Sequence, residues 1–379
     1  MPESMSSALP PPAAIGMPLA EVDTPALLLD LDTFEHNLDA LNRTLQGAPV
    51  RVRPHAKSHK CAQIALAQMA RGAVGVCCQK VSEAQALVRG GVSDVLIANE
   101  VVGAPKLARL AELARAAKVG VCVDNARNVE ELQQAARRAD SRLDVYIEVD
   151  VGSGRCGVAP GEPALRLAQA IVRSSNLRFG GLHAYHGSAQ HRRTPQERRS
   201  AIAEAVGKAR STVELLKANG IEVPVVTGAG TGTYLLEAAS GVYSEIQPGS
   251  YVFMDADYAR NLGEDGQPLR EFEQSLFILA TVMSHPVAER AVVDVGLKAH
   301  SVDSGMPTVV GIRGAEYLKA SDEHGVIALR GPGEVELGQK IRLIPGHCDP
   351  TVNLYDWLVC YRGDRVEAIW PICARGAFY

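Results

Sequence analysis

The sequence predicts an α/β protein in which a closed parallel (β/α)8 barrel is followed by a C-terminal all-β domain. Three observations carry that prediction. Eight short apolar runs, each ending in polar residues, alternate with helical stretches over about 230 residues, and eight β/α units in such a span indicate a closed barrel. After Asp257 the texture changes to strand-like runs separated by Gly, Pro and Asp turns, with few helical patterns. The chain has 379 residues, beyond the length at which one hydrophobic core stops growing, so a large barrel with a smaller second domain is expected.

In chain order, residues 1–22 read as a loose N-terminal tail containing Ser and Pro, with neither the basic start nor the apolar stretch of a signal peptide. Thr24 to Asp32 (TPALLLDLD) is a strand and Thr33 to Leu45 a helix. This strand precedes the eight-strand rhythm, and packing with the β domain is an open alternative for it. The eight barrel strands are Val50 to Lys57, Gly75 to Gln79, Asp94 to Glu100, Val119 to Asp124, Leu143 to Asp150, Phe179 to Tyr185, Val223 to Thr227 and Tyr243 to Gln247. Between them, Ala164, Leu167, Ala168, Ile171 and Val172 fall at helical spacing, and Thr194-Pro195-Gln196-Glu197 is a capping box with proline in the first turn. Strands of the second domain are expected at Glu271 to Val282, Arg290 to Asp294, Val326 to Leu329, Gln339 to Ile344, Asp356 to Tyr361 and Val366 to Pro371. The Gly- and Asp-rich stretch Asn261 to Gln267 marks the boundary, giving a barrel over 23–260 and a β domain over 261–379.

Composition narrows the function classes. Apolar residues at 46% and charged residues at 22% are those of a soluble globular enzyme, and a net charge of -4 without a basic stripe argues against nucleic acid. No apolar run approaches the roughly 18 residues of a membrane span, so a cytoplasmic protein is expected. The eight cysteines are scattered without a Cys-x-x-Cys pair and read as reduced core residues.

In such a barrel the chemistry lies at the C-terminal strand ends, which gather Lys57, Gln79, Asn99, Asp124, Asp150, Tyr185 and the Gly228 to Thr231 turn at one mouth. Lys57, in Arg53-Pro54-His55-Ala56-Lys57-Ser58-His59-Lys60, is crowded by two histidines, an environment that favours Schiff-base chemistry; an exposed lysine paired with an acid is the plainer reading. Two glycine turns, TGAGTGT at 227–233 and QPGSY at 247–251, follow strands seven and eight, where barrel enzymes commonly bind phosphate. Gly152-Ser153-Gly154-Arg155-Cys156-Gly157 matches a dinucleotide fingerprint on paper. The next strand ends in Tyr-His rather than the acid that would hold a ribose, so the match is rejected. Arg155 is kept as a cofactor contact, with a salt bridge to Asp150 or Asp124 as the alternative.

Far downstream stands His347-Cys348-Asp349-Pro350. On an extended strand His347 and Asp349 would point to one side and could share a cation, with Mn²⁺, Mg²⁺ or Zn²⁺ suited to such ligands; a β-turn capped by Asp349 is the competing reading. The loop Ala184 to His191 adds a phenol, two imidazoles and a hydroxyl, one of which could act as general base or third ligand.

Together RPHAKSHK, GVCCQKVSEA, VDVGSGRCGV, AYHGSAQH, TGAGTGTY, QPGSYVFMDADY, SDEHGV and PGHCDPTVN make the chain resemble the D-threonine aldolase and 3-hydroxy-D-aspartate aldolase group. These are relatives of D-serine dehydratase and, more distantly, alanine racemase, with a TIM-type barrel of fold type III. The resemblance implies that Lys57 anchors pyridoxal 5'-phosphate, that Gln79, Arg155, Tyr185, Thr231, Gly249, Ser250 and Tyr258 contact it, and that His347 and Asp349 bind a divalent metal. Dehydratase relatives carry a cysteine two residues after the histidine, whereas this chain carries Asp349, which favours an aldolase. The expected activity is metal-assisted retro-aldol cleavage of D-β-hydroxy-α-amino acids, D-threonine to glycine and acetaldehyde foremost, with His191 as a candidate base and a homodimer as the expected assembly. The alternatives are a 3-hydroxy-D-aspartate aldolase, a dehydratase of D-serine or D-3-hydroxyaspartate, and a non-catalytic pyridoxal phosphate carrier.

Overall fold

The computed structural model describes residues 10–331 and 333–379. The elements run β1 (Ala26–Asp30), α1 (Leu31–Thr44), β2 (Arg51–Val52), α2 (Ala62–Ala70), β3 (Val76–Cys78), α3 (Val81–Arg89), β4 (Asp94–Glu100), α4 (Ala104–Leu113), β5 (Lys118–Val123), α5 (Ala126–Arg138), β6 (Leu143–Glu148), α6 (Glu162–Val172), β7 (Leu177–His183), α7 (Pro195–Ala218), β8 (Val226–Gly228), α8 (Tyr234–Ala238) and β9 (Glu245–Ile246). Then follow β10 (Leu276–Val287), β11 (Arg290–Val293), β12 (Thr308–Val310), β13 (Ala315–Ala320), β14 (Gly325–Leu329), β15 (Lys340–Ile344), α9 (Cys348–Val352), β16 (Trp357–Arg362) and β17 (Arg365–Pro371). The chain forms two compact units, one built from 38–251, 258–271 and 376–379, the other from 1–37, 252–257 and 272–375.

The first unit is the (β/α)8 barrel. Its eight strands pair in parallel in the order β2-β9-β8-β7-β6-β5-β4-β3, and each expected barrel strand overlaps one of them, with β5, β7 and β8 reaching one to two residues outside the expected bounds. The ring closes where the parallel bridge His55↔Cys77 and the bond from Cys77 N–H to the Pro54 carbonyl (2.8 Å) join the ends of the sheet. Helix α6 buries Ala164, Leu167, Ala168 and Ile171, but Val172, expected on the same face, is exposed at the end of its last turn. Thr194 and Glu197 form the expected capping box of α7. Inside the barrel, Cys77, Leu96, Cys122, Tyr146 and Val225 pack together, and below them Arg53 bonds Glu245 (2.9 Å) and Asp94 (2.6 Å). A buried guanidinium is tolerable only with carboxylates on it, so this network ties the end of β2 to the starts of β4 and β9.

The second unit is a nine-stranded sheet with the path β13-β14-β11-β10-β1-β16-β17, β15 lying beside β10 and β12 beside β15. Strand β1 pairs antiparallel with β10 and parallel with β16, so the alternative placement of this strand is the observed one. Its face packs Leu28, Phe277, Leu279, Val359 and Tyr361 into a core. Residues 10–22 are not loose: Ala13 and Val22 enter that core and Gly16 N–H bonds the Val366 carbonyl. The apolar side chains spaced among the prolines give this segment surface to bury. The rest of the expected tail, 1–9, lies outside the described residues.

Beneath the glycine turn after β8, the Glu237 carboxyl is buried and accepts a hydrogen bond from Thr233 Oγ1 (2.8 Å), and burial pushes its pKa up to about 8. In the unfolded chain it would titrate near ~4.3, so between these pH values the folded state holds a proton that the unfolded state lacks. Unfolding free energy therefore falls as pH rises through this window and levels off above it. Glu237→Gln should remove that dependence, its advantage over the wild type growing by about 1.4 kcal/mol per pH unit at most between pH 5 and 8, measured by urea unfolding. Parallel curves for the two proteins would contradict a protonated Glu237.

Candidate active site

Strand β2 ends at Arg53-Pro54, and proline cannot donate to the ladder, so the chain leaves the sheet and turns through a single 3-10 turn, Ala56–Ser58, carrying Lys57. His55 caps this turn, its Nδ1 accepting from the Lys57 N–H (3.3 Å), while its Nε2 lies 2.7 Å from the Gln79 amide. Burial, with the Lys57 cation second, lowers the His55 pKa well below the usual imidazole value, which leaves it neutral. Asn99 donates to the Gln79 carbonyl (3.1 Å), fixing the end of β3.

The two glycine turns meet this loop within the same unit. His55 N–H bonds the Pro248 carbonyl (3.1 Å), and a Cβ on Gly249 would stand 2.9 Å from the His55 carbonyl oxygen. Only glycine permits that approach. Thr231 Oγ1 accepts from Tyr251 N–H (3.1 Å), tying the turn after β8 to the turn after β9. Ala229 holds φ at +71°, an unusual conformation for a residue with a Cβ. Buried Gln190 fits into this turn: its Oε1 accepts from Gly232 N–H (3.0 Å) and its amide donates to Thr233 (2.8 Å). The N–H groups of Gly230, Thr231, Gly249 and Ser250 have no acceptor among the described residues. They form a ready-made set of donors for an anion.

Arg155 lies 3.7 Å from Glu148 and 5.9 Å over the Tyr185 ring, so its acidic partner is Glu148 rather than Asp150 or Asp124. Those two aspartates are occupied with the loop itself: Asp150 accepts from the Gly152 and Gly154 N–H groups (3.0 Å each), and Asp124 from Gly157 (3.2 Å). The Gly152–Gly157 stretch thus folds back on its own strand, through Val158 N–H to the Glu148 carbonyl (2.9 Å), and opens no helix, consistent with its rejection as a dinucleotide loop. His191, exposed at the end of a 3-10 turn, lies with its ring centroid 5.5 Å from that of Tyr258, the two planes tilted by 42°. The inward members of β6 and β7, Glu148 and His183, stand 3.4 Å apart, and Glu148's charge, working against burial, raises the His183 pKa. Glu100 is pushed up to about 7 by burial and by Glu148. Strand alternation from Tyr146 would have marked Glu148 as inward; Gln190 carries no local signal.

In the other unit, His347 is extended, but Cys348–Val352 is a short helix, so Asp349 sits in its first turn and strand alternation does not relate it to His347. Pro350 in the first helical turn, where a missing N–H costs nothing, explains the difference. His347 Nδ1 is 2.7 Å from Asp303, and Asp255 accepts from the Cys348 N–H (2.9 Å). Against burial, the charges of Asp349, Asp303 and Asp255 raise the His347 pKa. Three carboxylates around one imidazole favour a cation. Asp303 and Asp255 were not legible from spacing.

The barrel and these sites are accompanied by close sequence kinship. Residues 29–257 match the alanine racemase N-terminal domain and 275–361 a serine dehydratase domain. The chain is 51% identical to a D-threonine aldolase of Arthrobacter sp over 97% of both chains, and 45% identical to a 3-hydroxy-D-aspartate aldolase of Paracoccus denitrificans (strain Pd 1222) over 97% of this chain and 96% of that one. The crystal structure of D-threonine aldolase from Filomicrobium marinum superimposes with a TM-score of 0.95 at 48% identity, covering 97% of this chain and 100% of that one. The protein is therefore a member of the alanine racemase-like family of fold type III pyridoxal phosphate enzymes. Within it, the chain belongs to the D-threonine aldolase and 3-hydroxy-D-aspartate aldolase group.

The residues present fit the coenzyme: a lysine, a donor-rich turn that admits no Cβ, and an arginine beside a phenol. Gly249→Ala should displace the His55–Lys57 loop and weaken pyridoxal phosphate binding by at least about tenfold, or ~1.4 kcal/mol, measured by titrating the apoprotein spectrophotometrically. Unchanged affinity would show that the close approach is not needed for binding.

Proposed function

We propose that the protein catalyses pyridoxal phosphate- and divalent metal-dependent retro-aldol cleavage of D-β-hydroxy-α-amino acids, with D-threonine giving glycine and acetaldehyde. The observation that supports it most is the junction of the Lys57 turn with the turn at Gly249, which packs the backbone of the lysine turn against unclaimed backbone donors in a barrel of aldolase kin. The coenzyme, when bound, supplies an electron sink for the charge left at Cα.

Lys57 Nζ would hold the coenzyme aldehyde, and neutral His55 beside it adds no competing positive charge. The N–H groups at Gly230, Thr231, Gly249 and Ser250 would bind the phosphate, with Gln79, Arg155, Tyr185 and Tyr258 bordering the ring. His191 would take the proton from the substrate hydroxyl, its ring oriented by Tyr258. His347 and Asp349 are proposed as ligands of the cation, Mn²⁺ in the first place, with Asp303 orienting the imidazole as carboxylates commonly do behind a metal-bound histidine. When bound there, a cation would supply Lewis acidity toward the substrate hydroxyl. A cytoplasmic homodimer is proposed as the working form.

Incubating holoprotein with D-threonine, L-threonine and D-serine, with Mn²⁺ or with chelator, should yield acetaldehyde from D-threonine alone and only with metal. Ammonia without aldehyde would establish a dehydratase instead, and full activity in chelator would remove the metal role. Borohydride reduction and peptide mapping should label Lys57. His191→Asn should lower kcat by roughly 10²- to 10⁴-fold, the range for loss of a positioned base; an unchanged kcat would reassign that proton.

A further inference from the structure

A second cluster of metal-ligating groups lies inside the barrel, apart from His347 and Asp349. Cys122, Glu148 and His183 come from the adjacent strands β5, β6 and β7, all three are buried, and their ligand atoms lie within 4.8 Å of one another. Glu148 Oε2 and His183 Nδ1 have no hydrogen-bond partner although both are out of contact with solvent.

A chain of bonds determines which imidazole nitrogen carries the hydrogen. Glu245, ion-paired with Arg53, accepts from the Thr227 hydroxyl (3.0 Å). Thr227 must therefore accept from the Gln247 amide nitrogen (2.8 Å), which turns the Gln247 oxygen toward His183 Nε2 (3.2 Å). Nε2 then donates, and in a neutral imidazole Nδ1 presents a lone pair. That lone pair faces Glu148 Oε2 across 3.4 Å. Two acceptors opposed in a dry interior require something positive between them.

The choice is a proton or a metal. A charge-assisted N–H···O bond would close to ~2.7–2.9 Å. Bonds of ~2.0–2.1 Å at tetrahedral angles instead place a nitrogen and an oxygen ligand about 3.4 Å apart, which is the spacing observed. A proton has no use for the sulfur of Cys122, whereas one sulfur with imidazole and carboxylate suits zinc. Arg155 approaches the other carboxylate oxygen, Oε1, at 3.7 Å.

We propose that Cys122, Glu148 and His183 form a buried zinc site that ties three neighbouring barrel strands together, independent of the metal proposed at His347 and Asp349. In full-length protein carrying His347→Ala and Asp349→Ala, which removes the other ligands, zinc loaded after chelator treatment should remain at about one per chain by elemental analysis. X-ray absorption should show one sulfur at ~2.3 Å and nitrogen or oxygen at ~2.0–2.1 Å. Adding the near-isosteric Cys122→Ser should lower retained zinc at least tenfold and abolish any rise in thermal midpoint on zinc loading, with circular dichroism confirming the fold. If the double variant retains no zinc, if its zinc has no sulfur neighbour, or if Cys122→Ser retains it fully, the proposal fails and Glu148 and His183 share only a proton. Because no arm reads aldolase activity, failure here leaves the proposed reaction standing, and failure of the reaction leaves this site standing.

Discussion

The arrangement of the active barrel depends on how its ring is closed. Strand β2 has only two ladder residues, Arg51–Val52, held between β9 on one side and the His55↔Cys77 bridge on the other. So short a strand cannot hold its register by backbone pairing alone. It relies on the buried Arg53 with Glu245 and Asp94 below, and on the missing Cβ of Gly249 above. The lysine turn hangs from that closure. What positions Lys57 is therefore a short strand fixed just past its end by the buried Arg53 network and by the close backbone approach at Gly249.

The same closure belongs to a polar network that runs through the barrel interior beside its apolar layer. From Arg53 through Glu245, Thr227 and Gln247 to His183 Nε2, each buried polar group is matched to the next, and the other imidazole nitrogen faces Glu148. Buried networks of this kind cost desolvation but admit very few arrangements, because each donor determines the orientation of its neighbour. Here that rigidity reaches from the floor of the barrel to its mouth.

Most of the barrel could be read from the chain because short strands ending in polar residues and helices with caps are local signals; Asp94–Glu100 was legible to the residue. Strands β12 and β13 were missed, being short or mostly exposed and lacking a clear apolar alternation. The relation of His347 to Asp349 was misjudged because a proline that reads as a turn also opens a helix. Gln190, Asp303 and Asp255 acquire meaning only through partners distant in sequence, so no window of residues could reveal them.

Strand β1 has a consequence for how the chain is made. Its neighbours, β10 and β16, are encoded far downstream, so Leu27, Leu28 and Leu29 leave the ribosome well before either of them. At ~5–20 residues per second, they wait roughly tens of seconds without the sheet that will bury them. During that interval three leucines and an unpaired strand edge are open to other nascent chains or to a chaperone. Yield of this protein in cells is thus tied to synthesis of β10 and β16, while the intervening β/α units can form from local contacts as they emerge.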